Sequence, residues 1–173
     1  MDPAANRPPR NPQEKDTPMT IRTTTHLNFR GTAGQALEFY QSVFGGRLTL
    51  VTYGDLGAPK DAPGAGKVVF GQVENEDGFR VMAYDIPGTD DADPAAVAGS
   101  TRRENGMTLT DRTFFQSVRG ETLDEVTGYW KALSDGADIV EPLAASPWSP
   151  GFGILTDRFG VTWVLDVQAP YAG

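Results

Sequence analysis

His26 is the only histidine among the 173 residues, and the chain contains no cysteine. A single imidazole could act as a general base or as a lone metal ligand, because it exchanges protons near neutral pH. It could equally be a strand residue held beside a cleft by a hydrogen bond. A general base needs a positioned partner, and the sequence around His26 identifies none. The absence of cysteine excludes disulfides, thiolate nucleophiles and thiolate metal sites.

Four further side chains could contact a ligand. Asn28 shares one face of a predicted strand with His26, and it could anchor a polar ligand together with Tyr84, or the two could simply bond each other. Tyr53 precedes a glycine-rich loop and could close over a ligand or lie at the surface. Trp148 stands between two prolines and could form one wall of an apolar pocket or plug the end of a sheet.

Other conspicuous side chains have structural interpretations. Four aromatic residues are predicted to lie in the core: Phe114, Phe115, Trp130 and Trp163. Asp157 is expected to accept backbone N–H bonds within a turn. Asp85 and Asp111 flank a long loop, and both are expected to be solvated carboxylates.

Two matching segments ninety positions apart must position these side chains. Each is expected to open a helix with a capping box and to close it with a glycine, around an apolar stripe. The helices are predicted at about 33–44 and 123–134. The residues that match between the segments are Thr32 and Thr122, Gln35 and Glu125, and Gly46 and Gly136.

Strand-like runs surround both helices. They cover 23–30, 47–53, 67–73 and 79–85 in the first unit, and 112–119, 137–142, 151–156 and 161–167 in the second. The sequence therefore predicts an α+β fold made of two βαβββ modules. Their sheets are expected to form a cup-shaped mixed sheet, with the helices outside and a cleft shared by both halves.

The rest of the chain predicts tails and a bridge. Residues 1–20 are rich in proline and are predicted to be a disordered tail, with Met19 as a possible true start. The first module is assigned to 21–86, the second to 112–168, and a C-terminal tail to 169–173. The bridge at 87–111 has weak periodicity, which is typical of a lid, a partner contact or a disordered link.

The charge balance restricts the partners. The chain has 15 basic and 23 acidic residues and a net charge of −8. This disfavours nucleic acid and anionic membrane surfaces as main partners. No apolar run approaches the ~20 residues of a membrane span, so a cytoplasmic protein is predicted. The glycines between 54 and 66 do not precede a helix, so they do not form a phosphate loop.

Several phrases together resemble the vicinal oxygen chelate superfamily and, more narrowly, its PhnB-like branch, which is similar to glyoxalase and bleomycin-resistance proteins. They are Leu27-Asn-Phe29, Ala36-Leu-Glu-Phe-Tyr40, Val43-Phe-Gly-Gly46, Trp148 and Asp157-Arg-Phe-Gly-Val-Thr-Trp163. The resemblance covers roughly residues 22–168. It implies paired βαβββ modules, commonly a homodimer, and a pocket near the module junction.

The enzymes of that superfamily bind a divalent metal through the first and fourth strands of each module. The resemblance places these positions at Thr24 or Thr25, at Thr113 or Gln116, and at Val164. Strand four of the first module offers Met82 and Tyr84 to the cleft. This set lacks the His and Glu ligands that such ions prefer. No metal and no other cofactor is therefore predicted.

The sequence favours a protein that binds or sequesters a small, partly apolar molecule in a cleft between its modules. His26 is the candidate catalytic residue. The candidate ligand-binding residues are Asn28, Tyr53, Met82, Tyr84, Gln116 and Trp148. The alternative is a glyoxalase-type lyase, isomerase or transferase that uses His26 as base or metal ligand. A third interpretation, a protein-interaction module that uses the bridge, has no motif in its support.

Overall fold

A computed structural model describes residues 23–88 and 101–169. The first module contains β1 (Thr25–Phe29), α1 (Ala33–Phe44), β2 (Arg47–Thr52), β3 (Val68–Glu74) and β4 (Arg80–Asp85). A hairpin of β5 (Arg102–Glu104) and β6 (Met107–Leu109) follows. The second module contains β7 (Gln116–Gly120), α2 (Leu123–Leu133), β8 (Asp138–Ser146), β9 (Ser149–Thr156) and β10 (Thr162–Val167).

The two modules have the same strand order. The first sheet runs β1-β4-β3-β2 and the second runs β7-β10-β9-β8. In each sheet the first and last strands of the module pair in parallel, and the other pairs are antiparallel. The predicted α+β fold of two βαβββ modules is therefore confirmed. No helix within the described ranges is long and apolar enough to cross a membrane.

The bridge contains structure that the sequence analysis missed. Strands β5 and β6 pair in antiparallel register, with Glu104 opposite Met107. Asn105 and Gly106 form the two-residue connection, and both have positive φ, at 51° and 76°. An Asn-Gly pair with this backbone is the preferred turn of a tight hairpin. Strand β7 starts at Gln116 rather than at Arg112. Residues 89–100 of the bridge and the tail at 1–20 lie outside the described residues.

The helix-bearing faces of the two sheets share one core. Tyr40 and Phe44 of α1 contact Trp163 of β10, with ring centroids 5.3 and 5.5 Å apart. Phe44 also contacts Tyr129 of α2 at 5.1 Å. The prediction that the helices lie outside a cup was therefore wrong, because aromatic side chains on α1 bridge the two modules. Trp163 is fully buried, which confirms its predicted core position.

The N-terminus of α1 is capped by a strand residue. Thr32 makes no side-chain capping bond. Asp85 at the end of β4 instead accepts hydrogen bonds from the backbone N–H groups of Gly31 and Ala33, at 2.8 and 2.9 Å. Its other oxygen accepts the N–H of Val68 at 2.9 Å. The predicted capping box of α1 and the predicted solvation of Asp85 were both wrong, since this carboxylate is 1% exposed.

The capping box of α2 forms as predicted. The Thr122 hydroxyl accepts the Glu125 N–H at 3.2 Å. The Glu125 carboxylate reaches back to the N–H of Glu121 at 3.0 Å. Two N–H groups at the start of the helix are thereby satisfied by local side chains. The two helices of the repeat thus begin with different chemistry.

One glycine in each module lets the helix approach the sheet. Gly71 of β3 and Gly153 of β9 occupy corresponding positions, opposite Ala83 and Leu165 of the last strand of their module. A Cβ on Gly71 would lie 2.2 Å from the Leu37 side chain of α1, and one on Gly153 would lie 2.6 Å from the Trp130 side chain of α2. The close helix–sheet contact therefore depends on the missing side chain.

Gly46, which ends the first helical segment, should tolerate substitution far less well than Gly45. Both have positive φ, at 91° and 69°. A Cβ on Gly46 would lie 2.3 Å from the backbone oxygen of Glu74, whereas one on Gly45 meets nothing within 4 Å. We expect Gly45→Ala to cost about 1 kcal/mol of unfolding free energy and Gly46→Ala about 3 kcal/mol. Urea unfolding of both variants tests this; equal losses would contradict it.

Candidate functional site

A pocket of about 300 Å³ lies where the two modules meet. We call it the junction pocket. It is enclosed by β1, by the segment 111–114 that leads into β7, and by the turn between β9 and β10. Its lining includes the side chains of His26, Asn28, Phe29, Arg112, Phe114 and Phe159. Aromatic rings with a few polar groups at one edge are typical of small-molecule pockets.

Four of the predicted site residues lie on one side of the first sheet. The register places His26 beside Met82 and Asn28 beside Tyr84. Side chains alternate along a strand, and Leu27, between His26 and Asn28, is buried in the core. These four side chains therefore point away from the helix. We call this side of the first sheet the open face. None of the four is fully buried, and the rings of His26 and Tyr84 meet edge to face at 5.4 Å.

The other three predicted residues lie elsewhere. The Tyr53 hydroxyl donates to the backbone oxygen of Asp85 at 3.0 Å, and its ring lines a separate pocket of about 300 Å³ under the glycine loop. Gln116 pairs with Trp163, so its position belongs to the helix-bearing side of the second sheet. Trp148 is 57% exposed at the β8–β9 connection and contacts Phe152. The structure therefore does not gather the seven residues into one site.

One wall of the junction pocket is fixed by Asp157. One carboxylate oxygen accepts the N–H groups of Phe159 and Val161 at 2.8 and 3.0 Å, which confirms the predicted turn role. The other oxygen accepts the Tyr40 hydroxyl and the Trp163 indole N–H, both at 2.8 Å. The sequence analysis did not foresee these two bonds, and the bond to Tyr40 ties α1 to the second module.

Burial dominates the electrostatics of this network. It raises the pKa of the Asp157 carboxyl, and the hydrogen bonds from Trp163, Tyr40, Val161 and Phe159 oppose that shift without cancelling it. Burial also raises the pKa of Tyr40 well above its ordinary value, and the neighbouring Asp157 charge adds to the effect. The Tyr40 hydroxyl therefore stays protonated and remains a donor at neutral pH.

The segment 111–114 supplies two site residues that the sequence analysis missed or misplaced. Phe114 is 56% exposed and lines the junction pocket, so its predicted core position was wrong. Arg112 lines the same pocket, and its Nε is buried without an acceptor within the described ranges. The Asp111 carboxylate is 3.8 Å from that Nε, beyond hydrogen-bond distance. A segment without regular structure gave no periodic signal from which these orientations could be predicted.

The positions that hold metal in related enzymes do not form a metal site in this chain. Val164 pairs with Ser117 and Ile154, and no carboxylate takes its place. Residues 23–88 and 101–169 contain no group of three or more His, Cys, Asp and Glu side chains that could hold a metal ion. Threonine, methionine and valine side chains are poor ligands for the ions concerned. The donor set does not fit a bound divalent metal.

Family comparisons agree with this architecture. A family model described as the Glyoxalase/Bleomycin resistance protein/Dioxygenase superfamily matches residues 25–165, and the chain belongs to that superfamily. Its relatives include PhnB-like proteins. Protein YjdN of Escherichia coli (strain K12) is 24% identical over 144 residues, which cover 82% of this chain and 92% of YjdN.

Solved structures are similar over most of the chain. Protein PA1353 from Pseudomonas aeruginosa superposes with a TM-score of 0.67 at 23% identity, covering 86% of this chain and 98% of that one. The putative 3-demethylubiquinone-9 3-methyltransferase, PhnB protein, from Bacillus cereus gives a TM-score of 0.60 at 25% identity, covering 86% and 100%. The predicted superfamily is confirmed, and a PhnB protein is among the structures similar to this chain.

Proposed function

We propose that this protein binds a small, partly apolar molecule in the junction pocket. The observation that supports the proposal is the shape and lining of that pocket, to which both modules contribute. Phe29, Phe114 and Phe159 offer aromatic surface, and His26 and Asn28 offer polar groups at the edge. A volume of about 300 Å³ is at the small end of ligand pockets and suits a molecule built on a single ring.

Binding is proposed to proceed without a metal ion. The support is the donor set described above, in which the expected ligand positions are Thr24 or Thr25, Thr113 or Gln116, and Val164. A divalent metal that binds only the folded chain would raise the unfolding temperature. We expect Ni²⁺, Zn²⁺ and Mn²⁺ to leave it unchanged at stoichiometric concentrations.

We further propose that two copies associate through the open face of the first sheet. The opposite side of that sheet is buried in the core, whereas Phe70 on β3 is 37% exposed and Met82 and Tyr84 are only half-buried. A partly apolar sheet face of this kind is typically covered by a partner. Native mass spectrometry on protein purified without chelator reports the number of subunits, any bound metal and any co-purifying organic molecule; a monomer would contradict the association.

The binding proposal makes a prediction for Phe114. Its exposed ring can be removed without opening the core, so Phe114→Ala should fold. We expect this variant to bind 4-phenyl-1-butanol about tenfold more weakly than the unmodified protein, since it loses one aromatic wall. Leu56→Ala is the matched control, because Leu56 is 69% exposed and does not line the junction pocket. NMR titration measures both affinities. Equal binding by Phe114→Ala and unmodified protein would contradict the placement of the ligand.

The alternative function is a glyoxalase-type lyase, isomerase or transferase. It is favoured by one observation, the exposed imidazole of His26 at the edge of the pocket and beside the Tyr84 ring. If His26 were the base or a metal ligand, His26→Ala would abolish turnover of any substrate found. If the pocket only binds, this variant binds more weakly at most, and there is no activity to lose.

A further inference from the structure

A second depression adjoins the junction pocket along β1. We call it the polar groove. It has a volume of about 370 Å³ and lies where β1 and β7 begin. It is lined by residues 23–25 and 78–80 together with Gln116 and Ser117. Among residues 23–88 and 101–169, no carboxylate lines it, although the chain as a whole is strongly acidic.

Arg80 supplies an incompletely neutralised positive charge to this groove. One terminal nitrogen of Arg80 donates to a carboxylate oxygen of Glu74 at 2.7 Å. The other oxygen of Glu74 accepts from Arg47 at 2.6 Å. Two guanidinium groups therefore share one carboxylate. The Arg47 hydrogen bond holds the pKa of Glu74 below its ordinary value, so this shared carboxylate is ionised at neutral pH.

The Nε of Arg80 is buried and has no hydrogen-bond acceptor within the described ranges. A charged donor that is removed from water without an acceptor costs free energy, and native proteins keep few such groups. The planar guanidinium group carries five N–H donors. Arg80 already uses one terminal nitrogen, Nη2, for Glu74. Nε and the other terminal nitrogen, Nη1, lie on opposite sides of the group, and each can donate to a further oxygen.

Neutral donors complete the lining of the groove. The hydroxyls of Thr24, Thr25 and Ser117 and the side-chain amide of Gln116 line or border it. None of these four side chains has a hydrogen-bond partner in the part of the chain that the structure describes. Each can donate to an oxygen. The groove thus gathers one guanidinium group, which Glu74 neutralises only in part, and several neutral donors.

We propose that the polar groove binds the carboxylate or phosphate group of a small organic anion whose apolar part occupies the junction pocket. This assignment rests on the proposed function for the apolar part alone; the anion-binding groove stands on its own observations. Residues 23–25 line the groove and residues 26–29 line the pocket. Thr25 of the groove directly precedes His26 of the pocket, so the two sites adjoin along β1. The ligand class is therefore an aromatic or aliphatic ring joined to an acidic group by a short chain.

Three probes separate the groove from the pocket. Inorganic phosphate tests the groove alone, 4-phenyl-1-butanol tests the pocket alone, and 4-phenylbutyrate tests both. Titrations are followed residue by residue in ¹H–¹⁵N spectra of ¹⁵N-labelled protein. We expect phosphate to shift the amide signals of Arg80, Gln116 and Ser117 in a saturable manner. We expect 4-phenylbutyrate to shift these signals and also those of His26 and Phe114.

Arg80→Gln is the decisive variant. Glu74 keeps its bond to Arg47 in this variant, so no buried carboxylate is left unpaired. We expect it to bind phosphate and 4-phenylbutyrate about tenfold more weakly and 4-phenyl-1-butanol with unchanged affinity. Arg102→Gln removes a comparable pair on the hairpin, and it should bind all three probes as the unmodified protein does. Gln116→Ala provides a second test, because it leaves the Arg80–Glu74 bond intact. We expect it, too, to weaken the binding of phosphate and 4-phenylbutyrate and to leave the binding of 4-phenyl-1-butanol unchanged.

The outcomes distinguish the two proposals. If phosphate does not saturate, or if Arg80→Gln binds both anions as tightly as the unmodified protein, the anion-binding groove is wrong and the junction pocket is unaffected. If phosphate binds through Arg80 but neither phenyl compound shifts His26 and Phe114, the groove is right and the proposed function fails. If 4-phenylbutyrate and 4-phenyl-1-butanol bind equally well, the two sites are not occupied by one ligand.

Discussion

Replacing Asp157 with alanine is expected to lower the free energy of unfolding by about 4 kcal/mol, because four donors, two of them buried and two partly buried, lose their shared acceptor. Two of these donors are backbone N–H groups of the β9–β10 turn, and the others are the Tyr40 hydroxyl and the Trp163 indole. The variant should also bind pocket ligands more weakly, since Phe159 and Val161 in the same turn line the junction pocket.

Urea unfolding followed by circular dichroism measures the loss, with Asp135→Ala as the matched control. Asp135 pairs with Arg158 but is 76% exposed, so its removal should change stability by less than about 0.5 kcal/mol. Tyr40→Phe separates the inter-module bond from the turn, because it removes one donor and leaves the acceptor in place. If Asp157→Ala lowered the free energy of unfolding by less than Tyr40→Phe does, the turn would not depend on the carboxylate.

The same residue sets a pH dependence whose sign follows from burial. Asp157 has a folded-state pKa above its ordinary value of 3.8. Protonated Asp157 is therefore favoured by folding, and its contribution is fully present below the unfolded-state pKa. That contribution is lost as pH rises through the raised folded-state pKa. The stability of the unmodified protein relative to Asp157→Asn should fall with rising pH across this window. A relative stability that rises with pH would contradict the burial argument.

The Asp85→Ala substitution is also expected to lower the free energy of unfolding by about 4 kcal/mol, for a different reason. Asp85 holds the start of α1, the end of β4 and the start of β3 together through three backbone N–H groups. Removing its carboxylate leaves the N–H groups of Ala33 and Val68 buried without an acceptor and also removes a negative charge from the positive end of the helix dipole. The loss should therefore appear first as opening of α1.

Amide hydrogen exchange distinguishes this local effect from a general loss of stability. In Asp85→Ala, the amides of the first turn of α1 that follow Ala33 should exchange faster than those of α2, whose capping box is intact. Asp61→Ala is the control, because Asp61 is exposed in the glycine loop. Uniform acceleration of exchange in both helices would mean that Asp85 stabilises the whole domain rather than the start of α1.

These two aspartates also show what the sequence could and could not predict. The repeat predicted the module order and both helices to within a residue or two, because apolar periodicity and glycine stops are local signals. The capping interaction of Asp85 joins residues 52 and 54 positions apart, so no local pattern contains it. The Thr32 segment matched a capping box by residue type, but Thr32 makes no capping bond, and the Asp85 carboxylate instead accepts the neighbouring N–H groups of Gly31 and Ala33.

Only the part of the site that depends on the alternation of side chains along a strand could be predicted from the sequence. Alternation along β1 and β4 correctly placed His26, Asn28, Met82 and Tyr84 on one face. The junction pocket instead needs the segment 111–114 and the β9–β10 turn to meet β1, which is a long-range arrangement. The hairpin in the bridge did have a local signal, since Asn105-Gly106 is a preferred two-residue turn.

The aromatic contacts between α1, α2 and β10 determine whether the two halves of this duplicated chain can fold separately. Its two halves look like copies in sequence, yet Tyr40, Phe44 and Trp163 are all buried, and each contacts a ring of the other half. Cutting the chain between the copies would expose these rings on both fragments. Duplication here produced a single cooperative unit, in which each half acts as part of the interior of the other.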